Sequence, residues 1–365
     1  MTRVSLITHY YDTWIDIVRA LASLIIIALL VITVTPAKAA YASPSGLWVS
    51  PKKIGALPTT GPAWDRVKEV ADSGFDAPGL TAQNRHNVQV LAAALVAARL
   101  DDDRYRARVR DELRKVMMAP VNDDEVLAAA RRLGTYVIAA DLIDLRGFDA
   151  QFDATFRTWI RNAVRHRYAS HGGSIIQVHE QFPNNFGTHA GASRVAVAAY
   201  LGDTGELARA ATVFRGWLGD RAAHTGFNFS GAMSWHCDPA NPVGVNPAGC
   251  IKNGHSIDGV LPDDQRRGGE FAWPPRCENY VWGALQGAVV EAELLARQGY
   301  PAWQWQDQAL RRAVTWLHDQ ASCPASDDEE WVPWLVNHAY GSRFPASTPA
   351  GLGKNMAFTD WTHSS

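Results

Sequence analysis

The sequence predicts an all-α fold built from antiparallel helical hairpins. Apolar residues recur at helical spacing through most of the chain, whereas the strict alternation of a half-buried strand is scarce. Two long stretches, 169–187 and 224–279, lack this periodicity. Loops longer than about 15 residues are usually functional or disordered, and the aromatic residues and cysteines here argue against disorder. We therefore expect ordered loops that line a cleft above the helices.

Composition narrows the class of protein. The chain has 365 residues, of which 47% are hydrophobic and 20% charged, as in ordinary globular proteins. The net charge of −2 lacks the basic excess of a nucleic-acid binder, so we expect no nucleic-acid partner. The 14 tryptophans are more than a core needs, and many lie in loop-like context. Exposed tryptophans would favour stacking on sugar rings.

The N-terminal stretch predicts the compartment. Residues 20–34 are apolar apart from Ser23 and Thr33, and small residues at A-x-A spacing follow. This pattern is typical of a secretory signal peptide over residues 1–39, cleaved after Ala39 or Ala42. The alternative is an uncleaved membrane anchor, but the apolar run is shorter than the ~20 residues that span a bilayer. We expect a periplasmic or secreted protein with one domain over 43–365 and no stable membrane insertion.

The helices are predicted from apolar spacing and from their ends. In the clearest one, Asn122 can cap the N-terminus, apolar residues from Val126 to Val137 share one face, and Gly147 is placed to end the helix. Similar stretches cover roughly residues 85–100, 102–118, 149–168, 188–201, 206–218, 280–297 and 303–320.

Four cysteines allow three disulfide pairings, among which the sequence does not choose. One of them joins Cys237 to Cys250 across a small loop and Cys277 to Cys323. A zinc site is the competing interpretation, but paired CxxC spacing is missing. We expect no metal and no cofactor.

The stretch "QFPNNFGTHAGASR" places Asn184 and Asn185 before an alanine-rich helix. If Thr188 caps that helix, both asparagine amides are free to bind a sugar hydroxyl or a carboxylate. The alternative is that the asparagines only form a turn and a cap. His189 lies near the positive helix end, which favours a neutral imidazole that can accept a proton, although a structural histidine is equally compatible.

A second polar cluster lies in "GHSIDGVLPDDQRRGGEFAWPPRCENYVWGALQG". An arginine here can hold a carboxylate through two hydrogen bonds, and a tyrosine beside a cation can move a proton. The alternative is a solvated charged surface. The candidate residues are His255, Asp258, Asp263, Asp264, Arg266, Arg267, Trp273, Glu278 and Tyr280.

These two blocks resemble the alginate lyase superfamily. "NNFGTHAGASRVAVAAYLGD" is similar to that family's NNHGTW segment and the small-residue helix after it. "RRGGEFAWPPRCENYVWGALQGAVVEAELL" resembles its Arg-Gly segment followed by an Asn-Tyr helix. The similarity extends over roughly residues 80–320. It implies an incomplete (α/α) toroid and an exported lyase that cleaves an acidic, uronic-acid-containing polysaccharide by β-elimination.

The resemblance also implies roles for individual residues. Asn185, with Asn184, would bind the C6 carboxylate together with Arg267, and Tyr280 would move the proton. The family has a histidine where this chain has Phe186, and a phenyl ring takes no proton, so His189 is a candidate replacement. Arg267 and Tyr280 are also further apart than in the alginate enzymes. Substrate-binding roles are expected for Asn184, His255, Arg266, Trp273 and Glu278.

Two other functions remain open at this point. A glycoside hydrolase needs two carboxylates, which Asp258, Asp263, Asp264 and Glu278 could supply. A non-catalytic carbohydrate-binding protein would use its tryptophans to stack on glycans.

Overall fold

The computed structural model describes residues 46–80, 85–122, 124–169 and 173–364. The predicted signal peptide and its cleavage positions lie outside the described residues. The first part of the described chain contains helices α1 (Pro51–Ala56), α2 (Pro62–Asp72), α3 (His86–Leu100), α4 (Asp103–Met118), α5 (Val126–Leu142), α6 (Leu145–Phe148), α7 (Ala150–Ala163), α8 (Ile175–Gln181), α9 (Asn185–Leu201) and α10 (Thr204–Trp217).

The second part begins with a long loop that contains strands β1 (Ile251–Lys252) and β2 (His255–Ser256). Helices α11 (Pro262–Gln265), α12 (Asn279–Arg297), α13 (Trp305–Asp319), α14 (Val332–Tyr340) and α15 (Thr359–Thr362) follow, together with 3₁₀ turns at Arg266–Gly268, Ala302–Gln304 and Asp327–Glu329. The all-α prediction is therefore confirmed for the described residues. Among them, no helix combines the length and apolarity needed to cross a membrane.

Helices α2, α3, α5, α9, α12 and α14 pack side by side in that order. Helices α3, α5, α9 and α12 are apolar or small on nearly every side, and most of their residues are buried. Helix α4 is different, because only one face, with Val109, Leu113 and Val116, is buried. An amphipathic helix of this kind covers a core from outside, whereas an apolar helix lies within it. The row of buried helices brings distant parts of the sequence together.

Small residues allow α9 and α12 to approach closely. A Cβ on Gly287 would lie 2.5 Å from the backbone nitrogen of His189, and one on Gly191 would lie 2.0 Å from a carboxylate oxygen of Glu291. Real side chains tolerate neither distance. The glycines in the two sequence blocks therefore permit the contact between the helices on which the polar residues lie.

Several helix boundaries differ from the sequence predictions. The helix expected from Asn122 begins at Val126, and Asn122 instead accepts a hydrogen bond from the backbone of Asp124. This helix ends at Leu142, whereas Gly147 lies in the short helix α6. Helix α8 forms within the stretch expected to be a loop, because its serine N-cap and a glutamine three residues later make a capping box.

The long loop is ordered, as predicted. The amide nitrogen of Asn246 donates to the carbonyl oxygens of Trp235 and Ile257, so the buried amide joins two parts of the loop. Two disulfides hold it further, Cys237–Cys250 and Cys277–Cys323. The structure thus selects one of the three possible pairings.

The tryptophans contradict one expectation. Nine of the described tryptophans are buried in the core, at 7% exposure or less, and the other described ones are half-buried. Several donate their indole N–H to backbone carbonyls, as Trp282 does to Cys323 and Trp217 to Pro183. Since none of the described tryptophans is fully exposed, their number reflects core packing, and the prediction of many exposed stacking platforms is wrong for the described residues.

Candidate functional site

The paired asparagines have separate roles. Asn184 is the N-cap of α9: its side-chain oxygen accepts from the backbone nitrogen of Phe186 at 3.1 Å, and its amide nitrogen donates to Asp263 at 2.9 Å. The expectation that Thr188 caps the helix is wrong, because the Thr188 hydroxyl donates to the carbonyl oxygen of Asn185 inside the first turn. Asn184 is therefore committed to the fold.

Asn185 differs from its neighbour. Its backbone nitrogen donates to Asp264 at 3.1 Å, but its side-chain amide makes no hydrogen bond with another described residue. The residue is buried at 5% exposure. The polar atoms of the amide are not among the fully buried unpaired ones, so the donor and acceptor of Asn185 remain accessible to a polar ligand.

Asp263 and Asp264 support the start of α9 from the neighbouring helix α11. Asp263 accepts from Asn184 and forms an ion pair with Arg266 at 2.8 Å. Asp264 is fully buried, and burial followed by the charge of Asp263 raises the pKa of its carboxyl well above the usual range. This environment favours the neutral form of Asp264 beside Asn185, and the two aspartates hold the backbone that orients the Asn185 amide.

Arg266 and Arg267 point to different partners although they are adjacent. The ion pair with Asp263 ties Arg266 to the support of α9, whereas the guanidinium carbon of Arg267 lies 4.4 Å from the centroid of the Tyr280 ring. The 3₁₀ turn that contains both residues separates their side chains. Only Arg267 is exposed, which leaves its guanidinium accessible to a ligand.

Tyr280 lies at the start of α12 and is 39% exposed. Its backbone nitrogen donates to the carboxylate of Glu278, which is the N-cap of this helix. The disulfide from Cys277 to Cys323 anchors the chain immediately before the cap. Glu278, expected to bind substrate, thus has a structural contact, and the position of Tyr280 is fixed by a cap and a covalent bond.

The two sequence blocks meet in space. A Cβ on Gly283 would lie 3.9 Å from the amide nitrogen of Asn185, and Gly283 follows Tyr280 by three residues on α12. Three residues of helix correspond to a rise of about 4.5 Å, so the Asn185 amide packs against α12 about one turn beyond Tyr280. We call Asn185, Arg267 and Tyr280 the Asn–Tyr site.

His189 lies one turn below Asn185 and is fully buried. Burial lowers the pKa of its imidazole well below the usual range, and the positive charges of Arg131 and Lys354 lower it further, while the backbone of Gly283 acts in the opposite direction. No interaction with Gly283 meets the geometry of a hydrogen bond, and both ring nitrogens lack a partner. The ring is neutral, as expected, but burial rather than the helix end is the main cause.

The remaining predicted substrate-binding residues lie together elsewhere in the loop. The rings of His255 and Trp273 stack with centroids 4.2 Å apart and planes at 8°. Both are half-buried, and within the described chain neither makes a hydrogen bond or ring contact with the Asn–Tyr site. A cavity of about 300 Å³ lined by Asp258, Arg312 and Trp316 likewise contains none of Asn185, His189, Arg267 and Tyr280.

A set of cations near the Asn–Tyr site was missed in the sequence. Arg85 and Lys354 both form ion pairs with the same carboxylate oxygen of Asp328, at 3.3 and 3.0 Å. Arg131 lies close by: burial lowers the pKa of its guanidinium to about 10, while Asp328, and to a smaller extent Tyr280, raise it. We call Arg85, Arg131 and Lys354 the cation cluster. The only sequence signal was the arginine pair at 131–132 in an otherwise apolar helix.

The carboxylates that a glycoside hydrolase would need already form hydrogen bonds or ion pairs within the protein. Asp258 accepts from the backbone of Gly249 and pairs with Arg312, and Asp263, Asp264 and Glu278 have the contacts described above. Among the described residues, no group of three or more His, Cys, Asp or Glu side chains is arranged to hold a metal ion.

Comparison with models of known protein families gives no match to this chain, and neither does comparison with curated protein sequences.

Proposed function

We propose that this protein is an exported polysaccharide lyase that cleaves a uronic-acid-containing polysaccharide by β-elimination, and that its side-by-side helices form an incomplete (α/α) toroid. The observation that supports this most is the Asn–Tyr site itself. It combines an unpaired amide that packs against the first turns of α12 with an exposed guanidinium and an exposed phenol at the start of the same helix. These groups suit a carboxylate and a nearby proton.

In this mechanism the C6 carboxylate of the uronate binds to the Asn185 amide and to the Arg267 guanidinium. Hydrogen bonds and positive charge at the carboxylate stabilise the enolate-like state that forms when the C5 proton leaves. The C4–O4 bond then breaks, a C4=C5 double bond forms, and the oxygen that leaves takes up a proton. Stabilisation of developing charge is usually the largest single contribution to catalysis.

We assign both proton transfers to Tyr280. Phe186 has no group that accepts a proton, and His189 is fully buried, whereas Tyr280 is accessible. The phenolate oxygen takes the C5 proton, and the resulting phenol donates a proton to O4. The guanidinium of Arg267 lies over the same ring and supplies positive charge 4.4 Å from its centroid, which favours the phenolate.

The hydrolase alternative has less support. A glycoside hydrolase needs two carboxyl groups that face the same bond, about 5–9.5 Å apart. Each of the four candidate carboxylates already has a structural partner. Glu278 caps α12 and Asp263 pairs with Arg266. Asp258 accepts from the backbone of Gly249, and Asp264 accepts from the backbone at the start of α9. The burial of most tryptophans also weakens the case for a carbohydrate-binding protein without catalysis.

The test is incubation of the purified chain with a panel of uronic-acid polymers while the ultraviolet absorbance of the unsaturated uronate is followed. We expect this absorbance to rise with at least one polymer, and to stay flat with the Tyr280→Phe variant. New reducing ends without absorbance would indicate a hydrolase. Binding without either product would indicate a carbohydrate-binding protein.

A further inference from the structure

Three positive side chains surround one carboxylate beside the Asn–Tyr site. Arg85 and Lys354 share one oxygen of Asp328, and the guanidinium of Arg131 makes no ion pair or hydrogen bond with any described residue. The Nε atom of Arg131 is buried without a partner. The neighbouring Glu329 is only partly ionised at neutral pH, because burial and then Asp328 raise the pKa of its carboxyl to about 7. The cluster therefore has more positive than negative charge.

The surrounding structure holds Lys354 in place. Its backbone carbonyl accepts from Asn87 on α3 at 3.1 Å, and its backbone nitrogen donates to Gln286 on α12 at 3.4 Å. The next residue, Asn355, is bonded to Gln286 and to Thr135 on α5. Three buried helices thus position this short segment, although it is remote from them in sequence.

The cation cluster is connected to the helix that carries Tyr280. The backbone nitrogen of Lys354 donates to Gln286 on α12, and the next residue, Gly287, packs against the backbone of His189. Arg131 interacts electrostatically with Tyr280, and both Arg131 and Lys354 act on His189, which lies one turn from Asn185. The three positive side chains share one nearby carboxylate, and Arg131 forms no ion pair with it, so a bound anion would compensate the excess positive charge. Guanidinium groups bind planar anions such as carboxylates through two hydrogen bonds.

We infer that Arg131, with Lys354 and Arg85, binds a second anionic group of the polymer, on the sugar next to the one whose carboxylate Asn185 and Arg267 hold. The substrate would then be a polymer with negative charge on consecutive sugars, supplied by a carboxylate or a sulfate ester. This inference rests on the proposed function, since it takes the Asn–Tyr site as the place of elimination.

Binding to saturated tetrasaccharides tests the inference without requiring turnover. Isothermal titration of the full chain carrying Tyr280→Phe would use three probes: an alginate tetrasaccharide, charged on every sugar; a hyaluronan tetrasaccharide, charged on alternate sugars; and a chondroitin sulfate tetrasaccharide, with sulfate on the intervening sugars. We expect Arg131→Gln to weaken binding of at least one fully charged probe by about tenfold or more, as for one lost charge-assisted hydrogen bond. Hyaluronan binding should change little.

The pattern across the probes identifies the anion. If only the alginate probe binds more weakly, the second anion is a carboxylate. If only the chondroitin sulfate probe binds more weakly, it is a sulfate ester. Arg161→Gln, on the exposed side of α7, is the control for a general loss of positive charge. Lys354→Gln should show the same selectivity as Arg131→Gln and serves as the test if the Arg131 variant does not fold.

Three results would overturn the inference. Arg131→Gln could weaken binding of all three probes equally, it could weaken none of them, or the chain could bind no probe at all. The lyase assay on the unmodified chain reports separately on the proposed function. Selective loss of binding in a protein without lyase activity would refute the elimination mechanism and leave the anion subsite standing.

Discussion

The guanidinium carbon of Arg267 lies 4.4 Å from the ring centroid of Tyr280, and the two residues are separated by twelve others that include the disulfide-bonded Cys277. Cation–π contacts of this length are favourable at exposed sites. Here the contact also places a positive charge beside a phenol that can reach a ligand. The first prediction follows from this arrangement.

Tyr280→Phe and Arg267→Ala should each lower kcat/KM on the active polymer by about 100-fold or more, as expected for loss of a proton-moving group or of a carboxylate-stabilising cation. Steady-state ultraviolet assays measure this. Tyr300→Phe and Arg161→Ala are matched controls away from the site, and they should retain normal turnover. Near-normal activity of both site variants would contradict the assignment of the Asn–Tyr site.

The two neighbouring asparagines should respond differently to the same substitution. Asn184→Ala removes a helix cap and should lower the free energy of unfolding by about 1 kcal/mol. Asn185→Ala removes an amide without a protein partner, so it should lower activity and leave stability nearly unchanged. Urea unfolding and the lyase assay together check this. If the stability losses of the two variants are equal, the separation of roles is incorrect.

His189 should be structural. Replacement by leucine, which keeps much of the volume of the buried ring, should leave kcat within a few-fold of the original value. An imidazole without a hydrogen-bond partner loses no bond on replacement, and apolar substitution of such a group is often nearly neutral. The measurement is kcat together with the unfolding midpoint. A loss of activity comparable to that of Tyr280→Phe, in a protein of unchanged stability, would show that His189 takes part in proton transfer.

Glu329 should make stability depend on pH. Burial raises the pKa of its carboxyl to about 7 in the folded state. The unfolded chain ionises near the ordinary value, so between about pH 4.5 and 7 the unfolded state binds fewer protons. Stability therefore falls as pH rises through this window, by up to about 3 kcal/mol.

Urea unfolding at several pH values measures this slope. Other buried carboxyls with raised pKa, such as Asp141, add to it, so the relevant quantity is the difference between the original chain and Glu329→Gln. The variant should show the shallower decline between pH 4.5 and 7. Parallel stability curves for both proteins would contradict the prediction.

The two disulfides should contribute unequally. Cys277–Cys323 spans 46 residues and Cys237–Cys250 spans 13, and the longer loop restricts the unfolded chain more. Replacing the longer bridge by a serine pair should cost about 1 kcal/mol more than replacing the shorter one. It should also lower kcat more, because it anchors the chain before Tyr280. Equal losses of stability would show that local native contacts outweigh chain entropy here.

Much of the local structure follows from the sequence. The helices near residues 85–100, 102–118 and 280–297 occur within one or two residues of their predicted bounds, because apolar spacing and end residues act over a few positions. The predicted helix starts were wrong where a polar residue near the helix end could form either a cap or a turn. Asn122 forms a turn instead of a cap, and Asn184 displaces Thr188 as the cap of α9.

Only part of the candidate site could be predicted from the sequence. Asn185, Arg267 and Tyr280 were proposed from motifs, and the structure brings them together. Arg131 and Lys354 gave almost no signal, since one lies in an apolar helix and the other in a terminal segment without a motif.

The sequence by itself determined an all-α chain with ordered loops, an even set of cysteines and two polar blocks, because these features depend on composition and on neighbours along the chain. Only the tertiary structure decided that Asn184 supports the fold while the Asn185 amide is unpaired, that His189 is buried in the core, and that Lys354 pairs with the carboxylate that also acts on Arg131. Burial and pairing depend on which helices pack together. That packing is set by contacts between residues far apart in sequence, and local patterns do not encode it.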